Sequence, residues 1–221
     1  MDMKILAIIS RKGGAGKTTL STHLAVMADN LGYNTAIFDL DPQASAASWA
    51  DEREQDTPTV LAAQASRLPR LIEQARDQGA DLVILDTPPS ADTIGAEAAK
   101  IADAVLIPCR PSGLDLKAIE ASCGIATFAN KPFFVVCNAA PVIGTEVEEM
   151  KAALDAAGVM MAPVVIHQRK DFYKGMHEGR TALEIDARGK ARQEAFHLFL
   201  WVAEQMGFAP SPDQLSTPKA A

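Results

Sequence analysis

Glycine, lysine and threonine residues near the start of the chain are spaced as in an anion-binding loop. They are Lys12, Gly13, Gly14, Ala15, Gly16, Lys17, Thr18 and Thr19. Glycines allow successive backbone N–H groups to converge on an anion without interference from a Cβ atom. The apolar run at 5–9 predicts a strand before the loop, and the pattern at 21–31 predicts a helix after it. A strand, a glycine-rich loop and a helix N-terminus together predict a phosphate-binding site.

The order Gly16-Lys17-Thr18 matches the end of the nucleotide-binding pattern G-x-x-x-x-G-K-[ST]. We expect Lys17 to reach the β- and γ-phosphates of ATP and the Thr18 hydroxyl to bind Mg²⁺. At the first glycine of that pattern this chain has Arg11, and Lys12 follows it. ATP and Mg²⁺ are therefore the predicted cofactors, bound by a variant of the general loop.

Carboxylates follow two further apolar runs. The run at 35–39 ends in Asp39, with Asp41 two residues on, and the run at 82–85 leads into Asp86. Ligands of parallel α/β sheets bind at the carboxyl ends of the strands, so these carboxylates should lie beside the phosphate loop. An aspartate after an apolar strand has the form of a Walker B site, which holds a Mg²⁺-bound water. Asp86 is therefore a predicted part of the metal site.

Short apolar runs alternate with helical patterns along most of the chain. Strands are predicted over 5–9, 35–39, 82–85, 104–108, 133–137 and 159–166, and helices over 21–31, 44–54 and 66–78. Continuous apolar strands separated by helices predict an α/β fold, doubly wound, with a mostly parallel sheet covered by helices on both faces. We expect one P-loop ATPase domain over 1–208 and a disordered tail over 209–221, which is rich in Pro, Ser and Ala.

The composition argues against several classes of protein. The formal net charge of −7 disfavours a generic nucleic-acid binder, because phosphate contacts need clustered Lys and Arg. The three cysteines form no CxxC pair, which argues against a zinc or disulfide framework and for buried, reduced thiols. No apolar stretch approaches 18 residues, and the segment 1–9 is too short for a signal peptide. We therefore expect a cytoplasmic protein without a transmembrane segment.

Three segments resemble the ParA/MinD family of deviant Walker A ATPases. They are the loop 12–19, the string Asp39-Leu40-Asp41-Pro42-Gln43 and the string Asp86-Thr87-Pro88-Pro89-Ser90. The resemblance covers nearly the whole chain. The segment 165–175 and the early position of the loop, with no extra N-terminal DNA-binding domain, are most similar to small ParF-like partition ATPases.

The resemblance implies roles for individual residues. Lys12 would cross to the ATP of a second subunit in a homodimer that sandwiches two ATP molecules, where it would stabilise charge on the transferred phosphoryl group. Asp41 would orient the attacking water, and Asp39 would lie in the water shell of Mg²⁺. The segment 86–90 would act as a switch loop. Hydrolysis should be slow unless dimerisation or a partner completes the site.

A basic segment lies in the second half of this acidic chain. From 169 to 192 there are seven basic and four acidic residues, a local net charge of +3. The candidate DNA-binding residues are Arg169, Lys170, Lys174, Arg188, Lys190 and Arg192. Such a cluster suits nonspecific DNA binding, particularly when doubled in a dimer. A solvated helix face is the alternative interpretation.

The resemblance and the basic segment together predict a DNA-partitioning or cargo-positioning ATPase. The ATP-bound dimer would bind DNA nonspecifically and would be nucleoid-associated. Its cargo would be a plasmid, a chromosome or a protein assembly. A ParB-like or cargo-adaptor protein would stimulate hydrolysis and release.

Two other functions were weighed against this one. A MinD-like membrane-associated ATPase would need a basic amphipathic helix at its C-terminus. The segment 195–206 is apolar, but its one charge is Glu204, and Phe196, Leu200 and Ala203 fit a core-facing stripe. An electron-transfer ATPase would need cluster-binding cysteines near the switch loops, and none follows Asp86.

Asn138, after the strand at 133–137, is a candidate adenine contact or a turn-forming residue.

Overall fold

Parallel strands and connecting helices alternate through the structure, a computed structural model that describes residues 2–89, 92–111 and 113–216. The strands are β1 Lys4–Ile8, β2 Thr35–Asp39, β3 Thr59–Ala62, β4 Leu82–Asp86, β5 Ala104–Cys109 and β6 Phe133–Cys137. The helices are α1 Lys17–Asn30, α2 Ser45–Asp51, α3 Leu68–Asp77, α4 Asp92–Ile101, α5 Gly113–Phe128, α6 Glu146–Ala156, α7 Asp171–Lys174, α8 Ala182–Ile185, α9 Lys190–Gln205 and α10 Pro212–Ser216. Two 3₁₀ turns lie at Ala65–Arg67 and Met176–Glu178.

The six strands form one sheet in the order β3-β2-β4-β1-β5-β6, and every neighbouring pair is parallel. The predicted doubly wound α/β fold is therefore confirmed. β1 lies in the middle, between β4 and β5. The loop that follows β1 thus opens at the point where the chain winds away to either side, which is where ligands bind in such sheets.

Both faces of the sheet are covered, as continuous apolar strands predict. Along β1, Leu6 and Ile8 pack into a core with α1 and α9, whereas Ile5 and Ala7 pack into a second core with α3 to α6. Successive side chains of a strand point to opposite faces, so the same short run supplies both cores. The phosphate loop is anchored between these two layers.

The sequence predictions missed one strand and wrongly predicted another. Edge strand β3 was missed because it is only four residues long and lies mostly at the surface, so its short apolar stretch Val60-Leu61-Ala62 is not the sustained run of a buried strand. The predicted strand at 159–166 is wrong, since Met161 forms only an isolated bridge to Val135 in the middle of β6, and His167 forms another to Ala140, beyond its end. Pro163 lies between them and has no N–H to donate to a ladder.

The segment after residue 208 contains a short helix, α10, within the part expected to be disordered. Gln214 of α10 donates its side-chain amide to the carbonyl oxygen of Leu31 at 3.1 Å, which ties this segment to the end of α1. Residues 217–221 lie outside the described residues, and the predicted domain limit at 208 stays a prediction. No helix in the described ranges is long and apolar enough to cross a membrane.

Candidate nucleotide site

The phosphate loop ends in a helix N-terminus whose backbone donors have no side-chain cap. Gly16 caps α1 in the left-handed conformation (φ 95°), makes no side-chain hydrogen bond, and is followed by a first turn without acidic residues. Gly14 is also left-handed, with φ 72°. Both conformations favour glycine over other residues. The first turn of this 14-residue helix therefore offers free N–H groups and a positive dipole end to an anion.

Asn138 fixes the shape of this loop from behind. Its Nδ2 donates a 2.6 Å hydrogen bond to the carbonyl oxygen of Ala15, and its side chain is buried. A Cβ atom on Gly16 would overlap that amide, so glycine is required there for a second reason. One of the two polar ends of Asn138 is thus committed to the loop. The predicted adenine contact of Asn138 stays a prediction.

Lys17 is a buried cation that faces the two carboxylate strand ends. Its side chain is 6% exposed, and burial lowers the pKa of its ammonium, while Asp86 and Asp41 oppose that shift. A buried ammonium requires nearby negative charge to remain protonated. Nucleotide phosphates at the α1 N-terminus would supply that charge, which agrees with the role predicted for Lys17.

Asp39 is register partner to Asp86 across the neighbouring strands β2 and β4. Its carboxylate accepts hydrogen bonds from the backbone N–H groups of Asp41 at 3.1 Å, Ala46 at 2.9 Å and Ala47 at 3.1 Å. Asp39 therefore holds the segment around Asp41 and the first turn of α2. This positioning role was not foreseen, and the predicted place of Asp39 in the water shell of Mg²⁺ stays a prediction.

Asp86 is the least satisfied polar group among the described residues. Both of its carboxylate oxygens are fully buried, and neither has a hydrogen-bond partner. Burial raises the pKa of Asp86 to about 7. The nearby Thr18 side chain and the charge of Lys17 both act to lower this pKa, but by less than burial raises it. Oxygen ligands and water molecules are what Mg²⁺ prefers. The orphaned carboxylate beside the Thr18 hydroxyl therefore fits the predicted metal site, in which these two residues would hold Mg²⁺ or its waters.

A cavity of about 680 Å³ opens over the loop and gathers most of the predicted residues. It is lined by Gly13, Gly14, Gly16, Lys17, Thr18, Thr19 and Asp41, and also by Gln43, Ser45, Ser48, Trp49, Glu52, Pro89, Met176 and His177. The second wall, made by α2 and the turn Met176–Glu178, was missed. Its members are separated by more than a hundred residues in the chain and form no motif, so only the fold could reveal it.

Lys12 lies to one side of the cavity, against a small depression that Ser10 and Ala15 also line. Its backbone N–H donates to Ser10 Oγ at 3.4 Å. The role that the resemblance implies for Lys12, in the site of a second subunit, stays a prediction. Ser90 of the predicted switch loop lies outside the described residues.

Most cations of the basic segment are exposed, but one of them, Arg169, is bound to a carboxylate of the protein. Lys170, Lys174, Arg188 and Lys190 are exposed, and Arg192 is half-buried. Arg169 instead donates to Glu194 Oε1 from Nε at 2.9 Å and from Nη2 at 2.6 Å, and His167 Nδ1 contacts the same oxygen at 2.8 Å. The charge of Arg169 is neutralised within the protein, so it is the weakest of the predicted DNA contacts.

The apolar face of α9 belongs to the core. Leu198, Phe199, Val202 and Ala203 are each at most 2% exposed. Trp201 packs edge-on against Phe134 of β6, with ring centroids 5.0 Å apart. Phe196 and Leu200, which were expected to face the core, are only partly buried but pack against the same core, so the apolar residues of this helix are used within the protein.

All three cysteines are buried, as predicted. Burial raises the pKa of Cys123 to about 11 and that of Cys137 to about 12, which keeps both thiols protonated. An electron-transfer role would need exposed thiolates able to ligate a cluster.

The sequence profile described as "CobQ/CobB/MinD/ParA nucleotide binding domain" matches residues 6–182. The chain belongs to this family. This ParA/MinD-family protein is 30% identical over 207 residues to "Maintenance of carboxysome distribution protein A" of Gloeobacter kilaueensis, covering 92% of this chain and 94% of the relative. It is 29% identical over 225 residues to "Chromosome-partitioning ATPase Soj" of Thermus thermophilus, covering 89% and 78% of the two chains.

A solved structure of similar fold is the septum site-determining protein MinD of Pyrococcus horikoshii, complexed with Mg-ADP. Its TM-score is 0.76 at 18% identity, and the match covers 93% of this chain and 98% of MinD. At that identity the likeness concerns the fold alone. The ParA/MinD-family protein described here is thus a P-loop nucleotide-binding protein whose relatives include partition and positioning ATPases.

Proposed function

We propose that this protein is a ParA-type ATPase that dimerises on ATP, binds DNA nonspecifically and positions a cargo. A partner bound to the cargo, ParB-like or another adaptor, would stimulate hydrolysis and so release the dimer from DNA. The observation that carries this proposal is the exposed group of cations on α7, the turn before α9 and the start of α9, in a chain of net charge −7. Such a group is expected where an acidic protein must contact phosphates.

The nucleotide half of the proposal rests on the cavity. The capless N-terminus of α1, the buried ammonium of Lys17 and the orphaned carboxylate of Asp86 form a site for a phosphate group with its metal ion. Asp41 lines the same cavity, and its carboxylate accepts the backbone N–H of Gln43 at 2.9 Å. This position supports the proposal that Asp41 orients a water molecule without acting as a strong base, which would suit slow, partner-dependent hydrolysis.

The DNA half rests on electrostatics. The exposed cations Lys170, Lys174, Arg188 and Lys190 belong to elements that adjoin α8. Contacts of this kind neutralise phosphates without reading bases. Two copies in a dimer would double the number of contacts and hence the salt dependence. The relatives named for carboxysome distribution and for chromosome partitioning support positioning of a cargo, which for this chain would be a plasmid, a chromosome or a protein assembly.

The test is DNA binding by the purified protein. Anisotropy of labelled random-sequence duplexes would be measured with ATP, with ADP and without nucleotide, over a salt series. We expect binding with ATP alone, equal affinity for unrelated sequences, and a logarithmic salt slope of about −0.9 for each phosphate neutralised. Cross-linking with ATP would report the dimer in parallel.

The matched variants are Lys170→Glu with Lys190→Glu, and Lys151→Glu as control. Lys151 is an exposed lysine of α6, which packs on the opposite face of the sheet from α9. We expect the double variant to lose DNA binding and the control to retain it, with ATP binding intact in both. Equal DNA binding by all three proteins, or no binding by the wild type in any nucleotide state, would refute the DNA claim.

A further inference from the structure

A buried ion pair joins the residues just after α2 to α8. Nη2 of Arg53 lies 2.7 Å from Oε1 of Glu184, and the two side chains are only 4% and 10% exposed. Arg53 also donates to the carbonyl oxygens of Gly179 at 2.8 Å and Thr57 at 2.6 Å. Glu184 accepts from the N–H of Thr181 at 2.7 Å and from its hydroxyl at 2.8 Å. The ion pair and the Arg53–Gly179 bond hold one segment against the other, whereas the bonds to Thr57 and Thr181 fix each side chain within its own segment.

The backbones on the two sides of this pair approach closely. Trp49 of α2 is 2% exposed, and its indole N–H donates to the carbonyl oxygen of Arg180 at 3.4 Å. The guanidinium of Arg53 lies over the Trp49 ring, 4.9 Å from its centroid. Gly179 is left-handed (φ 64°), and a Cβ atom on it would overlap the backbone of Arg53. We call the contacts of Trp49 and Arg53 with 179–184 the α2–α8 seam.

A second connection reaches α8 from the phosphate-loop helix. His23 of α1 is fully buried, and its Nδ1 donates to the carbonyl oxygen of Thr19 at 2.7 Å. Its Nε2 accepts the backbone N–H of Ala182, the first residue of α8, at 3.0 Å. One neutral imidazole therefore links the first turn of α1, where phosphate is expected, to the start of α8.

Trp49 of the seam also lines the nucleotide cavity. Trp49 and Glu52 line the cavity from the α2 side, and Met176 and His177 line it from the other side. Asp39 holds the opposite end of α2 through the N–H groups of Ala46 and Ala47. A ligand that shifts α2 must therefore shift the residues across the seam, since packed interfaces of this kind move as units.

Beyond α8 the chain leads directly to the exposed cations. The side chain of Asp186 accepts the N–H of Arg188 at 3.0 Å, and its carbonyl oxygen accepts the N–H of Gly189 at 3.0 Å. A Cβ atom on Gly189 would lie 2.9 Å from the Asp186 carboxylate, so the turn is tight. Lys190 then begins α9. Asp186, the residue that follows α8, thus fixes the backbone of the turn that carries Arg188 and leads to Lys190.

We propose that α8 is a junction that transmits nucleotide occupancy to the basic segment, with His23, Arg53 and Glu184 as its positioning residues. This inference rests on the proposed function, in which the cavity takes ATP and the basic segment takes DNA. ATP closing the cavity would pull on α8 through both connections and reorient Arg188 and Lys190. Coupling between two sites through such an element commonly amounts to about 5- to 150-fold in affinity.

The choice of variant follows from the energetics of buried ion pairs. Removing one partner leaves an uncompensated buried charge and endangers the fold, whereas replacing both by apolar side chains of similar size is often neutral. The test variant is therefore Arg53→Met with Glu184→Met. His23→Asn is the second variant, because its shorter side chain keeps a donor for Thr19 but no longer reaches Ala182. Glu178→Gln, an exposed carboxylate of the same segment, is the control.

The experiment combines hydrogen–deuterium exchange with DNA binding. Exchange of peptides covering 179–192 would be followed in the apo protein and with a non-hydrolysable ATP analogue and Mg²⁺. We expect the analogue to slow exchange there in the wild type and in Glu178→Gln, and to have no effect there in the other two proteins. The ratio of DNA affinities with ATP and with ADP should fall by about fivefold or more in those two, while the nucleotide affinity stays within about twofold.

Each outcome decides one claim. Unchanged exchange at 179–192 in the nucleotide-bound wild type, or full retention of the effect in both junction variants, would overturn the junction. Slowed exchange at 179–192 that the variants abolish, without DNA binding in any state, would support the junction and refute the DNA-binding function. ATP-dependent DNA binding that both junction variants keep in full would support the function and overturn the junction.

Discussion

Asn138 Nδ2 and the carbonyl oxygen of Ala15 lie 2.6 Å apart, although 123 residues separate them in the chain. The bond pins the phosphate loop to the carboxyl end of β6. Its removal should loosen the loop without removing any group that donates to phosphate.

Asn138→Ala is therefore expected to weaken ATP and ADP binding by about tenfold, which corresponds to the ~1.4 kcal/mol of one buried hydrogen bond. Calorimetric titration with each nucleotide would measure it. Asn34→Ala is the matched control, since the Asn34 amide also donates to backbone carbonyls, those of Gln78 and Gly79, but at an exposed site away from the loop. Equal nucleotide affinities in all three proteins would contradict a positioning role for Asn138.

Asp86 should cost stability and provide metal binding. Its pKa is raised to about 7 in the folded protein, against an ordinary value of 3.8, so the folded state keeps a proton that the unfolded state releases. The free energy of unfolding of the wild type should therefore fall, relative to Asp86→Asn, as the pH rises from about 4 to about 7. Thermal unfolding in EDTA, without nucleotide, would measure this difference.

With Mg²⁺ and ATP, the wild type should become the more stable of the two proteins. The wild type should be stabilised by Mg·ATP, and Asp86→Asn should hydrolyse ATP at least ~100-fold more slowly, because the metal loses its anchor. If the variant were less stable than the wild type in EDTA at pH 8, or equally active, the assignment of Asp86 to the metal site would be wrong.

The pH dependence of stability due to His23 should have the opposite sign to that of Asp86, because stability should be lost as the pH falls. Burial lowers the pKa of His23 to about 4 from 6.5, so the unfolded chain binds a proton that the folded protein excludes. Stability is then fully present above about pH 6.5 and is lost as the pH falls toward 4, by about 3 kcal/mol in total. Urea unfolding of the wild type and of His23→Gln between pH 4 and pH 7.5 would reveal it, since the variant should lack this component. Parallel pH profiles for the two proteins would contradict the buried neutral imidazole.

Leu198 and Phe199 distinguish a core helix from a membrane helix. Each is at most 1% exposed, so Leu198→Ala or Phe199→Ala should reduce the free energy of unfolding by about 3–5 kcal/mol. The wild type should not bind liposomes with any nucleotide. Leu215→Ala is the control, because Leu215 is 43% exposed. Small stability losses together with ATP-dependent liposome binding would favour the membrane-associated alternative.

Arg169 should behave as a structural residue. Its guanidinium is committed to Glu194, which also accepts the backbone N–H of His167 at 3.0 Å. Arg169→Gln should therefore lower the free energy of unfolding by about 1–3 kcal/mol, the range for hydrogen bonds to a charged group, and leave the salt slope of DNA binding unchanged. Lys170→Gln should instead reduce the magnitude of the slope by about 1.8, which is about 0.9 for each subunit of the dimer, and leave the stability intact. A reduced slope in Arg169→Gln would restore it to the DNA contacts.

The sequence predicted those features that local patterns encode. The phosphate loop, the strand ends at Asp39 and Asp86 and the doubly wound sheet each follow from residue types over a few positions, and the structure confirms the fold. It also brings Lys17, Thr18 and Asp41 to one cavity. Buried strands such as β2 and β4 were found because uninterrupted apolar runs have few alternatives in a soluble chain.

What the sequence could not predict depends on partners far apart in the chain. In the sequence, nothing distinguishes Arg53 from a surface arginine, because its partner Glu184 is distant in the chain. Arg169 likewise has the pattern of a DNA contact, but in the structure Glu194 neutralises its charge. The apolar run at 159–166 has the composition of a strand, yet it contains Pro163, which has no N–H to donate, and the segment forms only isolated bridges beside β6. Pairings of this kind are decided by tertiary contacts, not by composition.

The central position of β1 has a consequence for biosynthesis. The strand that carries the phosphate loop is made first, but its neighbours β4 and β5 end only at Asp86 and Cys109. Until β4 has left the ribosome, β1 has no neighbouring strand; β5 pairs with β1 later, and Asn138 arrives later still to hold Ala15. A nascent chain with fewer than about 90 residues beyond the tunnel therefore exposes β1 unpaired, and one with fewer than about 140 lacks the hydrogen bond from Asn138. The first of these is the stage at which chaperones would be needed most.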